Sequence, residues 1–114
     1  RATITVGPGD VLTTAHNRLR NAGFSQLPVR DNGKLVGVVT EERLIQFVYG
    51  HPELMNGPVA DAMESAFIKL DRTESLNNLV AMLRVQPYAA IMDGDEFLGL
   101  ITRSDVLNYL RRQM

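Results

Sequence analysis

The chain has 114 residues, 45% of them hydrophobic, and 12 lysines and arginines against 13 aspartates and glutamates leave a formal charge of −1. That length supports one ordinary domain with a buried core, and the even charge balance excludes a phosphate-neutralising face for long nucleic acid. No cysteine is present, which excludes disulfides and thiolate metal sites and fits a reducing, cytoplasmic setting, and no apolar run approaches the roughly 20 residues of a membrane helix.

In chain order, Thr3-Ile4-Thr5-Val6 is expected to be extended, and Leu12, Ala15 and Leu19 recur at i, i+3, i+7, the period of an amphipathic helix. A short strand then closes at Val29. Asp31-Asn32-Gly33 supplies turn residues that tolerate positive φ, and Leu35 to Val39 is a buried strand leading into a helix at Thr40-Glu41-Glu42-Arg43. Gly50 to Pro58 is a connector punctuated by Gly and Pro; Val59 to Glu64 predicts a helical turn or two, and Phe67 to Leu70 an extended segment. Leu76, Leu79 and Leu83 begin a second helical stripe. Strands are expected at Ala89 to Met92 and Phe97 to Ile101 around Asp93-Gly94-Asp95, followed by Thr102-Arg103-Ser104-Asp105 and a last helix.

The second half therefore repeats the first. Gly37 recurs at Gly99, Thr40 at Thr102 and Val29 at Ile91 with a constant offset of 62, whereas the helical stripes are offset by 64, so the second copy lacks two residues before its first strand. The predicted class is α+β, two β-α-β-β-α units: residues 1–50, a connector over residues 51–66, and residues 67–114. Each unit would leave one apolar sheet face bare, so the two are expected to pack sheet to sheet as a pseudo-two-fold module with a cleft between lobes. Arg1 at the start suggests a piece of a longer protein.

The T-x-x-D step at Thr102 to Asp105 has two readings. A carboxylate in the first turn of a helix can accept hydrogen bonds from both hydroxyls of a ribose, while Thr102 and the exposed amides suit the group beyond the sugar. The same residues can instead form a cap, Thr102 accepting from the helix and Asp105 reaching back. The first copy holds Arg43 at the carboxylate position, and a guanidinium has no acceptor for ribose, so the Thr40–Arg43 site is expected to be degenerate, empty or turned to an anion or a partner carboxylate. Arg103 is the one cation in the second step. His16 and His51 lack a second ligand or a nucleophile and are expected to be exposed, and neither Lys34 nor Lys69 is placed as a Schiff base. Catalysis and metal binding are not indicated.

Gly99-Leu100-Ile101-Thr102-Arg103-Ser104-Asp105, Leu27-Pro28-Val29 and Val59-Ala60-Asp61-Ala62-Met63 together resemble the motifs of a pair of CBS domains, the Bateman module, over essentially the whole chain. Gly23 to Val29 and Asp105 to Leu110 are similar to the C-terminal regulatory module of the cystathionine β-synthase family. The resemblance implies a non-catalytic module that binds an adenosyl compound, S-adenosylmethionine or AMP/ATP. Its fused N-terminal catalytic domain would be a pyridoxal-phosphate enzyme. Carried over residue by residue, it implies Phe24 beside the adenine, with Ser25, Gln26 and Leu27 lining the cleft and Ala2 and Thr3 closing it. Leu100 and Ser104 would form the opposite wall, with Thr102 and Asp105 on the ribose and beyond. Tyr88, taken as the counterpart of Phe24, would be core or the rim of the degenerate site. Such pairs dimerise through the helices after each step, here around Leu44, Phe47 and Val48 and around Val106, Leu107 and Leu110; burial of these stripes within one chain is the equal alternative. The alternative is a ligand-free assembly module.

Overall fold

The computed structural model describes residues 4–113, and the chain divides into two compact units, Arg1–Ala66 and Phe67–Met114. Ala2 and Thr3 lie outside the described residues. In the first unit the predicted stripe forms one face of α1 (Leu12–Ala22), where Leu12, Ala15 and Leu19 have no accessible surface. Burying a leucine fully contributes about 1.5–3 kcal/mol, which exceeds what helix propensity supplies. Gly23 ends the helix at φ 69°: its amide donates to Arg20 O, and the Phe24 amide to Leu19 O, the bonding of a Schellman stop.

β1 (Gln26–Asp31) and β2 (Lys34–Thr40) pair antiparallel through a two-residue turn in which Asn32 (φ 52°) and Gly33 (φ 81°) are both left-handed, the type I′ signature. β1 runs two residues past the expected end at Val29, with a bulge between Val29 and Arg30. The expected first strand is reduced, among the described residues, to a parallel bridge from Val6 to Val29, because Gly7-Pro8-Gly9 follows and proline cannot donate to a ladder. α2 (Glu41–Val48) closes the sheet side with Leu44, and the connector folds back as a 3-10 turn over Pro52–Asn56. The expected helix at Val59 is a second 3-10 turn, Val59–Asp61, whose Val59 and neighbouring Ala62 complete a core with Val6, Leu27, Val29, Val39 and Leu44. The connector is thus part of the first unit.

In the second unit β3 (Lys69–Asp71) runs parallel to β4 (Tyr88–Asp93), which pairs antiparallel with β5 (Glu96–Thr102). The β4–β5 bulge falls between Ile91 and Met92, the repeat of the Val29/Arg30 bulge. α3 (Leu76–Val85) begins at Ser75, whose hydroxyl accepts the Asn78 amide, and α4 (Arg103–Arg112) follows β5 directly. Between β3 and α3 the Thr73 hydroxyl, and then its amide, donate to Asp71 and hold that carboxyl below its ordinary value. Leu83, Tyr88, Ala89, Ala90, Phe97 and Val106 are the buried residues of this unit.

Gly37 shows where backbone size limits the first unit. A Cβ there would sit 2.6 Å from Met63 Sδ and 3.0 Å from the Glu64 carbonyl oxygen. Methionine can turn aside, but that carbonyl belongs to the bridge with Val38 and cannot. We expect Gly37→Ala to destabilise the chain by about 1–3 kcal/mol, measured as a lower urea midpoint; an unchanged midpoint would refute the tight approach.

Candidate functional site

The two strand-to-helix steps are built the same way. Gln26 pairs with Thr40 at the end of the first hairpin and Tyr88 with Thr102 at the end of the second, so each threonine is the last residue of its strand and stands before a helix. Its hydroxyl accepts the amide three residues on, Arg43 N at 3.0 Å and Asp105 N at 3.3 Å. The hairpin register corrects one expectation: Tyr88 is the counterpart of Gln26, not of Phe24, and with 4% exposure it is core. The offset between helices differs from that between sheets because Gly23 and Phe24 prolong the first unit's junction.

In the second unit Asp105 completes a capping box. The Thr102 amide donates to Asp105 Oδ2 at 2.8 Å and the Thr102 hydroxyl to the same oxygen at 3.0 Å. The cap reading is therefore what the geometry contains. It uses one carboxylate oxygen; among the described residues Oδ1 takes no hydrogen bond, and Asp105 and Ser104 are exposed on the first turn of α4. The box fixes the carboxylate against the helix N-terminus, where the dipole favours an anion, and leaves a negative acceptor at the surface. Thr102 and Leu100 are half-buried behind it. Arg103 points elsewhere: its Nε donates to Leu83 O at 2.5 Å and one Nη to Arg84 O at 3.4 Å, capping the end of α3. The one cation of this step is thus engaged in structure.

The first-unit candidates separate by burial. Phe24 is 43% exposed, held by the helix stop rather than by the core, and Ser25 is exposed with its carbonyl accepting the Glu41 amide at 3.1 Å. Gln26 is half-buried opposite Thr40. Leu27 has no accessible surface and belongs to the core with Val6, Leu19 and Val59, so it does not line a cleft; it opens a run of three buried residues, Leu27 to Val29, in β1. Thr40 is 6% exposed, and Arg43 Nε donates to the Ala62 carbonyl at 3.3 Å. The Thr40–Arg43 step is therefore engaged with the first unit's own groups.

Two further features escaped the sequence. His16, expected in solvent, is half-buried and lines a groove of about 430 Å³ with Glu41, Leu44, Ile45, Val48 and Met55. The signal for it is the apolar stripe of α2, Leu44 and Val48, which the sequence leaves open between a dimer interface and burial within the chain. Of the expected dimer faces, Leu44 and Val106 are core residues, Phe47 and Val48 are half-buried, and Leu107 and Leu110 are exposed, as is Ile45 beside Leu44. Among the described residues no three His, Asp or Glu cluster as metal ligands, and no helix is long and apolar enough to cross a membrane.

The CBS domain model matches residues 1–50 and again residues 59–112, and the chain belongs to the CBS-domain family, as a tandem pair. A protein of Methanocaldococcus jannaschii, MJ1225, is 27% identical over 96% of this chain and 44% of its own length. Its solved structure, described as a candidate archaeal homolog of g-AMPK, superposes with a TM-score of 0.87 at 23% identity over 96% of this chain and 45% of that one. Cystathionine beta-synthase of Dictyostelium discoideum is 24% identical over 96% of this chain and 23% of its own, and inosine-5′-monophosphate dehydrogenase of Korarchaeum cryptofilum is 30% identical over 93% and 22%. The chain spans less than half the length of these relatives.

The box sets a measurable stability. Asp105→Ala removes two hydrogen bonds to Thr102 and is expected to cost about 1 kcal/mol, while Asp105→Asn keeps a side-chain acceptor and should cost less. Urea unfolding of both variants checks the order.

Proposed function

We propose that this chain is a non-catalytic regulatory module that binds an adenosyl ligand, S-adenosylmethionine or AMP/ATP, and controls an enzyme fused to it. The observation that carries this reading is the second unit's step: an exposed carboxylate held at the start of α4 by Thr102 through Oδ2, with no hydrogen bond to Oδ1 among the described residues. Asp105 would hold the sugar, with Thr102, Ser104 and the first amides of α4 facing the group beyond. Leu100 would support them from the end of β5. The engagement of Arg103 with α3 leaves little positive charge for a trisphosphate, which favours S-adenosylmethionine or AMP over ATP.

Cystathionine β-synthase is the favoured fused enzyme, on the similarity to the Dictyostelium protein and on the Gly23 to Val29 and Asp105 to Leu110 stretches. The similarity to an inosine-5′-monophosphate dehydrogenase makes that enzyme class the competing assignment. A cytoplasmic homodimer is the assembly we favour, with Ile45, Leu107 and Leu110 as apolar surface for the partner.

A second reading has its own observation. The capping box satisfies Thr102 and Asp105 without any ligand, as a ligand-free assembly module would require. Calorimetric titration with S-adenosylmethionine, AMP, ATP and adenosine separates the two. The sensor reading expects saturable one-site binding that Asp105→Ala weakens at least tenfold, about 1.4 kcal/mol, with the fold retained. Silence from all four compounds would leave the assembly module.

A further inference from the structure

The first unit's arginine is engaged within its own unit. Arg43 Nε donates to the carbonyl of Ala62, which closes the 3-10 turn Val59–Asp61, and a turn that short leaves such carbonyls without an internal partner. The residues around Ala62 are fastened as well. Val59 is fully buried and its amide donates to Asp10 O at 2.8 Å; Ala62 is fully buried. Met63 lies over Gly37, and Glu64 exchanges two backbone hydrogen bonds with Val38, at 2.8 and 2.9 Å. Residues 59–64 are the stretch of chain that leads from the first unit toward the second.

We propose that Arg43 is a linker clamp, a positioning residue that holds Ala62 to Glu64 on β2. At the position where the second unit keeps a carboxylate, the first unit would then anchor the linker rather than recognise a ligand. Three observations support the exchange of roles. A guanidinium carries donors only, so it suits a carbonyl and not a ribose. Thr40 is 6% exposed, and its hydroxyl already accepts the Arg43 amide at 3.0 Å. The charge-assisted bond to Ala62 O is half-buried, where it is stronger than at a free surface. The chain would have one receptor step, at Asp105, and one clamp, at Arg43. Only the receptor half rests on the function proposed above.

Amide hydrogen exchange followed residue by residue on the whole chain tests the clamp. In Arg43→Ala the Glu64 amide, bonded to Val38 O, should exchange about tenfold faster, the loss of one charge-assisted hydrogen bond, while Leu19 and Val39 keep their protection. Arg43→Lys, which can still donate to Ala62 O, should recover most of it. Should Arg43→Ala not fold, Arg43→Lys against Arg43→Gln gives the same comparison. Unchanged Glu64 exchange, or an equal loss of protection throughout the first unit, would overturn the clamp. So would a second equivalent of adenosine bound by Arg43→Asp, because the step would then be a vacated ligand site. If the unaltered chain binds no adenosyl compound, the exchange comparison still decides the clamp by itself.

Discussion

Each unit is organised by a threonine that ends a strand and starts a helix. The hairpin register sets Thr40 opposite Gln26 and Thr102 opposite Tyr88, and the hydroxyl then accepts an amide that the new helix cannot satisfy internally. Because helices leave their first amides unpaired and buried polar groups must find partners, this contact determines where the helix begins. It also determines what stands three residues later: that side chain is carried to the helix start in both units. A slip of one residue in either hairpin would turn the threonine to the other face and dissolve the step.

The same frame carries two different chemistries. With Asp105 the third helical residue bonds back to Thr102, and the step presents negative charge at a helix N-terminus. With Arg43 it reaches away to Ala62 and the step becomes a joint between α2 and the linker. The junctions before the strands diverge too. Gly23 in the left-handed region stops α1 and leaves Phe24 at the surface, whereas α3 runs out through Gln86 in extended backbone and Pro87, so that the buried Tyr88 opens β4 at once. Duplication preserved the backbone plan, and single side chains reassigned its ends.

For a module of this kind, occupancy of a site matters only through a difference in binding between two arrangements of the protein, typically 1–3 kcal/mol. The first unit is built around one shared core that includes Met55 of the connector and the linker residues Val59 and Ala62. Its groove, walled by Leu44, Ile45, Val48 and Met55 beside Glu41 and His16, joins α1, α2 and the connector turn on one surface.

The repeat, the helical stripe of α1, the turn at Asp31-Asn32-Gly33 and the asymmetry between Arg43 and Asp105 are legible in the residues alone, because these depend on local period, turn chemistry and side-chain type. The sequence also named Thr102 and Asp105 while leaving cap and ligand as alternatives, since both demand the same residues at the same spacing. Only the tertiary structure decided where the long side chains go. Arg103 bonds to α3 and Arg43 to the linker because distant carbonyls lie within reach there, a matter of folding that spacing along the chain does not encode. Leu27 lies in the core and not at the cleft, and Leu44 is core where the sequence leaves interface and burial open, for the same reason: an apolar side chain is assigned to core or to interface by the elements that close over it, and here those are the connector and Val59, brought back by contacts far apart in sequence.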